Sequence, residues 1–245
     1  MANFLPIIPC HLYIVTDSES ASEVERLRAD FPNETKVIVK SFSDLIEAKR
    51  MTMWVEQTQL DHEKHHTPEL YVIWNEKVHL LMEAIEENPF DSDYFLWTDI
   101  GCFRDAERAE KLTSYPDTYT TSSLLGTNNV FFLQVGNFRQ EHQIIGENGL
   151  PINHFQYDVC LGGGVFGGHA NAVRQYSQQY YKTMDLMQSN GIFIGKDQNV
   201  MSTVAVLYPN LVKLVKPQYY LDGADPWFYS LHYFSKRTIN ETIPG

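Results

Sequence analysis

The chain has 245 residues, which suits one domain (1–245) with a core large enough to bury most of its apolar surface. Its formal net charge of −12 at pH 7 argues against nucleic acid and anionic membranes as partners, because both attract basic faces. Its 14 Tyr, 14 Phe and 4 Trp are numerous enough to line a cleft as well as a core.

The first half of the chain alternates short apolar runs with amphipathic segments. The predicted strands are 11–17, 36–42 and 93–101. The predicted helices are 18–30, a segment that begins at Ser43 and is stopped by Pro68, and 74–88, which ends before Pro89. Residues 105–128 are polar and predicted to be loop-rich.

The second half continues this alternation. Strands are predicted at 129–138 and 156–168, the latter running into a glycine turn, and a helix at 169–189. A strand-like run at 192–195 leads through a polar turn into another helix. The pattern predicts an α/β fold with a mixed, mostly parallel sheet flanked by helices. An aromatic tail, about 217–245, is irregular.

The sequence His62-Glu63-Lys64-His65-His66 matches the H-E-x-x-H pattern of zinc peptidases. That site requires an apolar interior helix and a third ligand further along the chain. The flanking residues are polar, and Glu69 lies too close to be the third ligand. We therefore interpret the motif as a solvated helix end with cationic side chains near the helix dipole.

The glycine run Gly162–Gly167 is formally G-x-G-x-x-G, between a predicted strand and a predicted helix. It lies far along the chain, and the acidic residue about 20 positions later, Asp185, falls inside a helical pattern. Three explanations remain open. The run could bind a dinucleotide, let a neighbouring strand approach, or let a bound sugar approach.

Two acidic turns are the strongest candidates for chemistry. Asp99 follows a predicted strand, at the sheet edge where ligands of open α/β sheets bind. Asp197 and Gln198 begin a predicted helix and could face a sugar hydroxyl, with Asp197 as helix cap or as base. Lys77 and Arg104 are cations that could reach phosphate oxygens, or could be solvated and ion-paired.

Four segments in chain order, WNEK, NPFDSDYFLWTDIGCFR, GGGVFGG and GKDQN, resemble the HtrL/YibB (WlaTC) family of proposed glycosyltransferases. More distantly they are similar to enzymes of the GT-A fold. The resemblance covers about residues 70–205. It implies a Rossmann-like GT-A domain that uses a nucleotide-diphosphate sugar, often with Mn²⁺ or Mg²⁺.

The resemblance also implies roles for individual residues. The nucleotide base would lie near Thr16 and Asp17, the diphosphate near Lys77, and ribose or metal near Asp99. The sugar would be bordered by Gly163 and Gly164, with Asp197 and Gln198 at the donor sugar and acceptor. Gly101 stands where many such enzymes carry the metal-binding second aspartate of DxD, which weakens the case for a metal. The side chains that could complete a metal site are Asp105, Asp225 and His232.

The leading hypothesis is a glycosyltransferase that moves a sugar, expected to be UDP-linked, to a glycan or lipid-linked acceptor. The alternatives are a non-catalytic carbohydrate-binding module and an NAD-dependent oxidoreductase. Three separated cysteines, Cys10, Cys102 and Cys160, form neither a disulfide framework nor a CxxC zinc site. The sequence also has no signal-peptide pattern and no apolar run of roughly 18 residues. Together these features predict a cytoplasmic protein without a transmembrane segment.

Overall fold

The computed structural model describes residues 4–102, 115–217 and 226–235. Those residues form six strands and seven α-helices. The strands are β1 Leu12–Thr16, β2 Thr35–Val39, β3 Tyr94–Thr98, β4 Val130–Gln134, β5 Leu161–His169 and β6 Val212–Val215. The α-helices are α1 Ala21–Leu27, α2 Met51–Leu60, α3 Pro68–Glu87, α4 Thr118–Leu125, α5 Ala170–Ser189, α6 Asp197–Leu207 and α7 Ser230–Phe234.

The strands form two sheets. β1 and β2 make a parallel pair, and the larger sheet has the order β3-β5-β4-β6. β5 is antiparallel to both neighbours, whereas β4 and β6 are parallel. The predicted α/β class, with mixed pairing and flanking helices, is confirmed. Parallel and antiparallel ladders are equally frequent among the described strands, two of each.

The larger sheet separates two apolar clusters. Successive side chains of a strand point to opposite faces. Val130 and Phe132 of β4 accordingly pack in one cluster, with α3, α5 and α6. Phe131 and Leu133 pack in the other, with residues of β1, β2, α4 and α7. Each face of β4 is therefore covered by other elements.

Helix α3 is longer at its start than predicted, because Pro68 begins it rather than ending the preceding helix. Proline suits the first helical turn, where its missing N–H has no intrahelical partner. The Thr67 hydroxyl accepts from Leu70 N at 3.4 Å and caps this start. Helix α2 ends at Leu60, so the motif 62–66 lies in a loop between two helices and not at a helix end.

Three further predictions need correction. The glycine run is not a turn, since it lies within β5 and β5 leads directly into α5. The apolar run 192–195 is buried but forms no strand. Helix α4 and strand β6 were not predicted, because α4 is rich in Thr and Ser, which are weak helix formers, and β6 is only four residues long.

Candidate functional site

The WNEK segment lies in the middle of α3, where successive residues point about 100° apart. Asn75 donates to the Gly195 carbonyl at 3.1 Å, which ties the segment before α6 to α3. Glu76 accepts from the backbone N–H groups of Ile46 and Glu47 at 2.9 and 2.8 Å. Both side chains are buried. They fix the position of α3 and leave the other two residues of the segment facing a cavity.

Lys77 is the centre of the site. Its ammonium lies 3.1 Å from Asp99 Oδ2 and 3.0 Å from Asp197 Oδ2, and it donates to the Gly163 carbonyl at 3.0 Å. The residue is only 4% exposed. Burial alone would lower the pKa of Lys77, but the carboxylates of Asp197 and Asp99 outweigh it and raise the pKa. The lysine is therefore held as a buried cation.

Asp99 follows β3 and is the more accessible of the two carboxylates. Its Oδ1 accepts from Trp97 Nε1 at 2.6 Å, and its backbone N–H donates to the Gly164 carbonyl at 2.8 Å. These bonds fix the turn after β3 against β5. The side chain is 38% exposed, against 6% for Asp197. Asp99 therefore presents a fixed carboxylate to the cavity.

Asp197 is the first residue of α6, and Lys196, not Asp197 or Asn199, is the N-cap. Its Oδ1 accepts from the backbone N–H of Gln198 at 2.8 Å. Burial raises the pKa of Asp197, and its ion pair with Lys77 only partly offsets that rise. The Gln198 amide donates to the Leu161 carbonyl at 3.0 Å. The structure thus brings the turns at positions 99 and 197 together, as predicted.

Glycines of β5 allow this convergence. A Cβ on Gly163 would lie 2.9 Å from Asp197 Oδ2, and one on Gly164 would lie 2.9 Å from Cys102 Sγ. Any larger residue would displace the side chains of the site.

The later glycines of β5 allow the neighbouring backbone segments to approach β5 closely. A Cβ on Gly167 would lie 2.1 Å from the Phe95 carbonyl oxygen, and one on Gly168 would lie 2.4 Å from the Asn129 carbonyl oxygen. The run therefore has no strand-to-helix turn that could hold a pyrophosphate, which removes the support for a dinucleotide site.

The site opens into a cavity of about 580 Å³. Its wall combines aromatic rings, glycine backbone and charged groups from several elements. The lining residues are Glu63, His66, Trp74, Lys77, Asp99, Gly101, Cys102, Leu133, Gly162, Gly163, Gly164, Val165, Lys196, Asp197, Gln198, Trp227 and Phe228. Trp227 and Phe228 belong to the aromatic tail, so this part of the tail lies against the site.

The described residues of the cavity wall carry one net negative formal charge. Three carboxylates, those of Glu63, Asp99 and Asp197, face two ammonium groups, those of Lys77 and Lys196. Lys196 is ion-paired with Glu63, and burial lowers the pKa of Lys196. The two cations among the described lining residues are thus already paired with carboxylates before any ligand binds.

The H-E-x-x-H motif does not form a zinc-peptidase site, because its residues lie in a loop and not on one helix face. Instead, ligand atoms of Glu63, His65 and His66 lie within 4.8 Å of one another. His66 Nδ1 lies 2.8 Å from Asp61 Oδ2, and Glu63 is paired with Lys196. These contacts account for Glu63 and His66 without a metal ion.

The family resemblance implies a divalent cation at Asp99, and such a cation, here beside the neighbouring carboxylate of Asp197, does not fit the described residues. The Lys77 ammonium lies within 3.1 Å of both carboxylates, where the cation would have to bind. The second oxygen of Asp99 is engaged by Trp97, and Gly101 supplies no carboxylate.

Several predicted site residues lie elsewhere. Thr16 and Asp17, at the end of β1, do not line the cavity, and the Asp17 carboxylate accepts from backbone N–H groups at the start of α1. His232 lies on α7, stacks on Tyr229 and does not line the cavity either. The predictions for Arg104, Asp105 and Asp225 lie outside the described residues.

Among the charged and aromatic lining residues, sequence reasoning missed six: Glu63, His66, Trp74, Lys196, Trp227 and Phe228. Four of them lie inside motifs in which other residues were the candidates, namely H-E-x-x-H, WNEK and GKDQN. Their motif neighbours were the available signal. Trp227 and Phe228 had no signal beyond the aromatic character of the tail.

Fold and site together define an α/β protein whose cavity is built around a lysine held by two carboxylates. Residues 11–234 match the family described as "Bacterial protein of unknown function (HtrL_YibB)", and the chain belongs to that family. The predicted resemblance is therefore confirmed at the level of the family, and the GT-A fold stays a prediction. No curated protein and no solved structure matches the chain. Among the described helices, none is both long and apolar enough to cross a bilayer.

Proposed function

We propose that this protein is a glycosyltransferase that moves a sugar from a nucleotide-diphosphate sugar, UDP-linked by preference, to a glycan or lipid-linked acceptor. The observation that carries the proposal is the convergence of Asp99, Asp197 and Lys77 at one cavity, from three segments remote in sequence. Fixed carboxylates beside a fixed cation suit a reaction in which positive charge develops on a sugar and negative charge on a leaving phosphate.

The cavity wall suits a carbohydrate in other respects. Trp74 and Trp227 line the cavity, and indole rings suit stacking on a sugar or a base. The exposed carboxylate of Asp99 can accept hydrogen bonds from sugar hydroxyls, and it is held in place by Trp97. Gly163 and Gly164 let the ligand approach the backbone of β5.

Asp197 acts in this proposal as a positioning residue. One of its oxygens accepts from Gln198 N, the other faces Lys77, and the side chain is 6% exposed. A general base needs an oxygen within hydrogen-bond reach of the acceptor hydroxyl. The geometry therefore favours an electrostatic role, in which Asp197 orients Lys77, over direct proton abstraction.

The second candidate is a carbohydrate-binding module without catalysis. The net negative charge of the cavity wall favours it, because a diphosphate carries negative charge of its own. The absence of a carboxylate at Gly101 favours it as well. A neutral glycan would experience no such repulsion.

Thermal-shift measurements on the wild-type protein separate these candidates. The ligands are UDP, GDP, UDP-sugars, GDP-sugars, neutral oligosaccharides and NAD. We expect a nucleotide sugar to raise Tm and the protein to hydrolyse or transfer the sugar slowly. Stabilisation by oligosaccharides alone, without turnover, would favour the binding module, and stabilisation by NAD without any by UDP or GDP would favour an oxidoreductase.

A matched pair of variants tests the site. Asp99→Asn removes a charge from the cavity, whereas Asp185→Asn makes the same change on α5, where the side chain is 63% exposed and does not line the cavity. We expect only Asp99→Asn to abolish the ligand-induced rise in Tm. Equal responses of the two variants would place the ligand somewhere else.

A further inference from the structure

The Lys77 ammonium is surrounded by oxygens of the kinds that bind divalent cations. Asp99 Oδ2, Asp197 Oδ2 and the Gly163 carbonyl oxygen lie 3.0–3.1 Å from the nitrogen. Carboxylate and carbonyl oxygens are the ligands that Mg²⁺, Mn²⁺ and Ca²⁺ prefer. They come from three elements, the turn after β3, the start of α6, and β5, and the lysine enters between them from α3.

The oxygen cluster exceeds what one ammonium group needs. A single carboxylate would neutralise Lys77, but two surround it and leave the cluster with one negative charge. Burying an extra carboxylate costs free energy unless it is compensated. The close approach of Asp197 also requires glycine at position 163, since a Cβ there would lie 2.9 Å from Oδ2. The arrangement therefore provides more negative charge than a lysine requires.

We propose that the Lys77 ammonium takes the position of a divalent cation, so that the site binds its ligand without a metal. Removing the ammonium then turns Asp99, Asp197 and the Gly163 carbonyl into a divalent-cation site. The statement about the ligand rests on the proposed glycosyltransferase function. The statement about the cation concerns this chain alone and can be tested without any substrate.

The first experiment compares wild-type protein with Lys77→Ala during titration with Mn²⁺, followed by Tm and by electron paramagnetic resonance of the bound ion. We expect Lys77→Ala to bind Mn²⁺ and to gain roughly 5–10 °C in Tm at about 100 times Kd. Wild-type protein should show no such gain. Equal responses of the two proteins would overturn the proposal.

The double variant Lys77→Ala/Asp99→Asn is the matched control. It keeps the Glu63, His65 and His66 cluster, which could itself bind Mn²⁺, but has only one of the two carboxylates around position 77. We expect its gain in Tm to fall well below that of Lys77→Ala. An undiminished gain would assign the ion to the other cluster and contradict the proposal.

Folding of the single variant is also informative. Lys77→Ala leaves the buried carboxylate of Asp197 next to that of Asp99 without a cation, so Mn²⁺ should restore the structure even if the metal-free variant is unfolded. A variant that stays unfolded in saturating Mn²⁺ would count against the proposal.

A second experiment uses wild-type protein and a UDP-sugar, with EDTA or with Mn²⁺. We expect Kd to agree within about twofold in the two conditions, and a tenfold weaker affinity in EDTA would refute metal-independent binding. If no nucleotide sugar binds in either condition, the proposed function fails. The Mn²⁺ response of Lys77→Ala would still decide the cation statement.

Discussion

Among the described lysines and arginines, Arg28 and Lys77 are the two that are buried, and they serve different purposes. The guanidinium of Arg28 donates to the carbonyls of Leu5 and Ile8 at 2.8 and 2.6 Å. It also donates to the Thr35 hydroxyl at 2.8 Å. All these acceptors are neutral. Arg28 does not line the described cavity, and burial lowers its pKa.

Lys77 lies between two carboxylates as well as beside the Gly163 carbonyl, and it lines the cavity. A guanidinium has five donors in a fixed, planar arrangement, so it can hydrogen-bond several backbone carbonyls at once and hold separate segments together. An ammonium between two carboxylates leaves one negative charge, which interacts electrostatically with a bound ligand. Burial of a cation therefore does not identify a site by itself. The charge of its acceptors and an adjoining cavity do.

The largest effect on stability should come from Arg28→Met. It leaves several buried acceptors without a donor, and we expect a loss of about 3–5 kcal/mol in the free energy of unfolding. Chemical denaturation measures this loss, and any ligand affinity of the folded fraction should be unchanged. Arg26→Met is the control, because Arg26 is exposed, and it should unfold like wild-type protein. Weakened ligand binding by the folded Arg28→Met protein would show that Arg28 also affects the site, and would contradict the assignment of a structural role to Arg28 and a binding role to Lys77.

The largest effect on activity should come from Asp197→Asn. The amide oxygen can still accept from Gln198 N, so the fold should persist, but the charge that orients Lys77 is lost. We expect the transfer rate to fall about 10²–10³-fold. Asp185→Asn should keep wild-type activity. Near-normal turnover in a folded Asp197→Asn protein would remove this residue from the mechanism.

How far the site could be predicted depends on where the signal lies in the sequence. Asp99 and Asp197 each follow an apolar run and precede a turn or helix, so local patterns were sufficient to select them. Their partner Lys77 was selected as a cation on the predicted helix 74–88, and the WNEK segment of the family resemblance contains it as well. Lys196 and Glu63 form an ion pair across 133 positions, and no local pattern reports such a contact.

The fold likewise separates into features that local sequence patterns predict and features that depend on contacts between distant residues. The long periodic helix α5 was predicted nearly in full and α3 from residue 74 onward, because an amphipathic stripe is a local property. The glycine run was misread because a glycine-rich turn and a glycine-rich central strand have the same composition. Only the close approach of β3 and β4 to Gly167 and Gly168 distinguishes them, and that is a tertiary contact.

A third prediction uses pH to separate Lys77 from the rest of the protein. Its folded-state pKa is raised above the unfolded value of about 10.4, so its contribution to stability is complete below that pH. The contribution is lost as pH rises through the folded-state pKa. We expect the free energy of unfolding of wild-type protein to fall in this alkaline range more steeply than that of Lys77→Met. Parallel pH profiles would show that the ion pairs contribute nothing.

Gly163→Ala should have a moderate effect that is confined to the site. The new Cβ would lie 2.9 Å from Asp197 Oδ2, so the carboxylate has to move away from Lys77. We expect a loss of about 1–2 kcal/mol in stability and a roughly tenfold weaker ligand affinity. Gly168→Ala is the contrast, because its Cβ would meet the Asn129 carbonyl and should lower stability without changing the affinity of the folded protein. Unaltered affinity in Gly163→Ala would contradict the proposed site.

The smallest effect should come from Asp17→Asn. The family resemblance places this residue near the nucleotide base, whereas its exposed carboxylate accepts from the backbone N–H groups of Glu19 and Ser20 and does not line the cavity. Those hydrogen bonds lower the pKa of Asp17, so the charge should add stability above the unfolded pKa of about 3.9 and lose it as pH falls through the folded value. We expect a slightly lower Tm at neutral pH, which disappears in acid, and an unchanged Kd for any nucleotide sugar. A large increase in Kd would extend the binding site to the end of β1. Asp17 would then belong with Lys77 among the charges that act on the ligand, and not with Arg28 among those that only stabilise the fold.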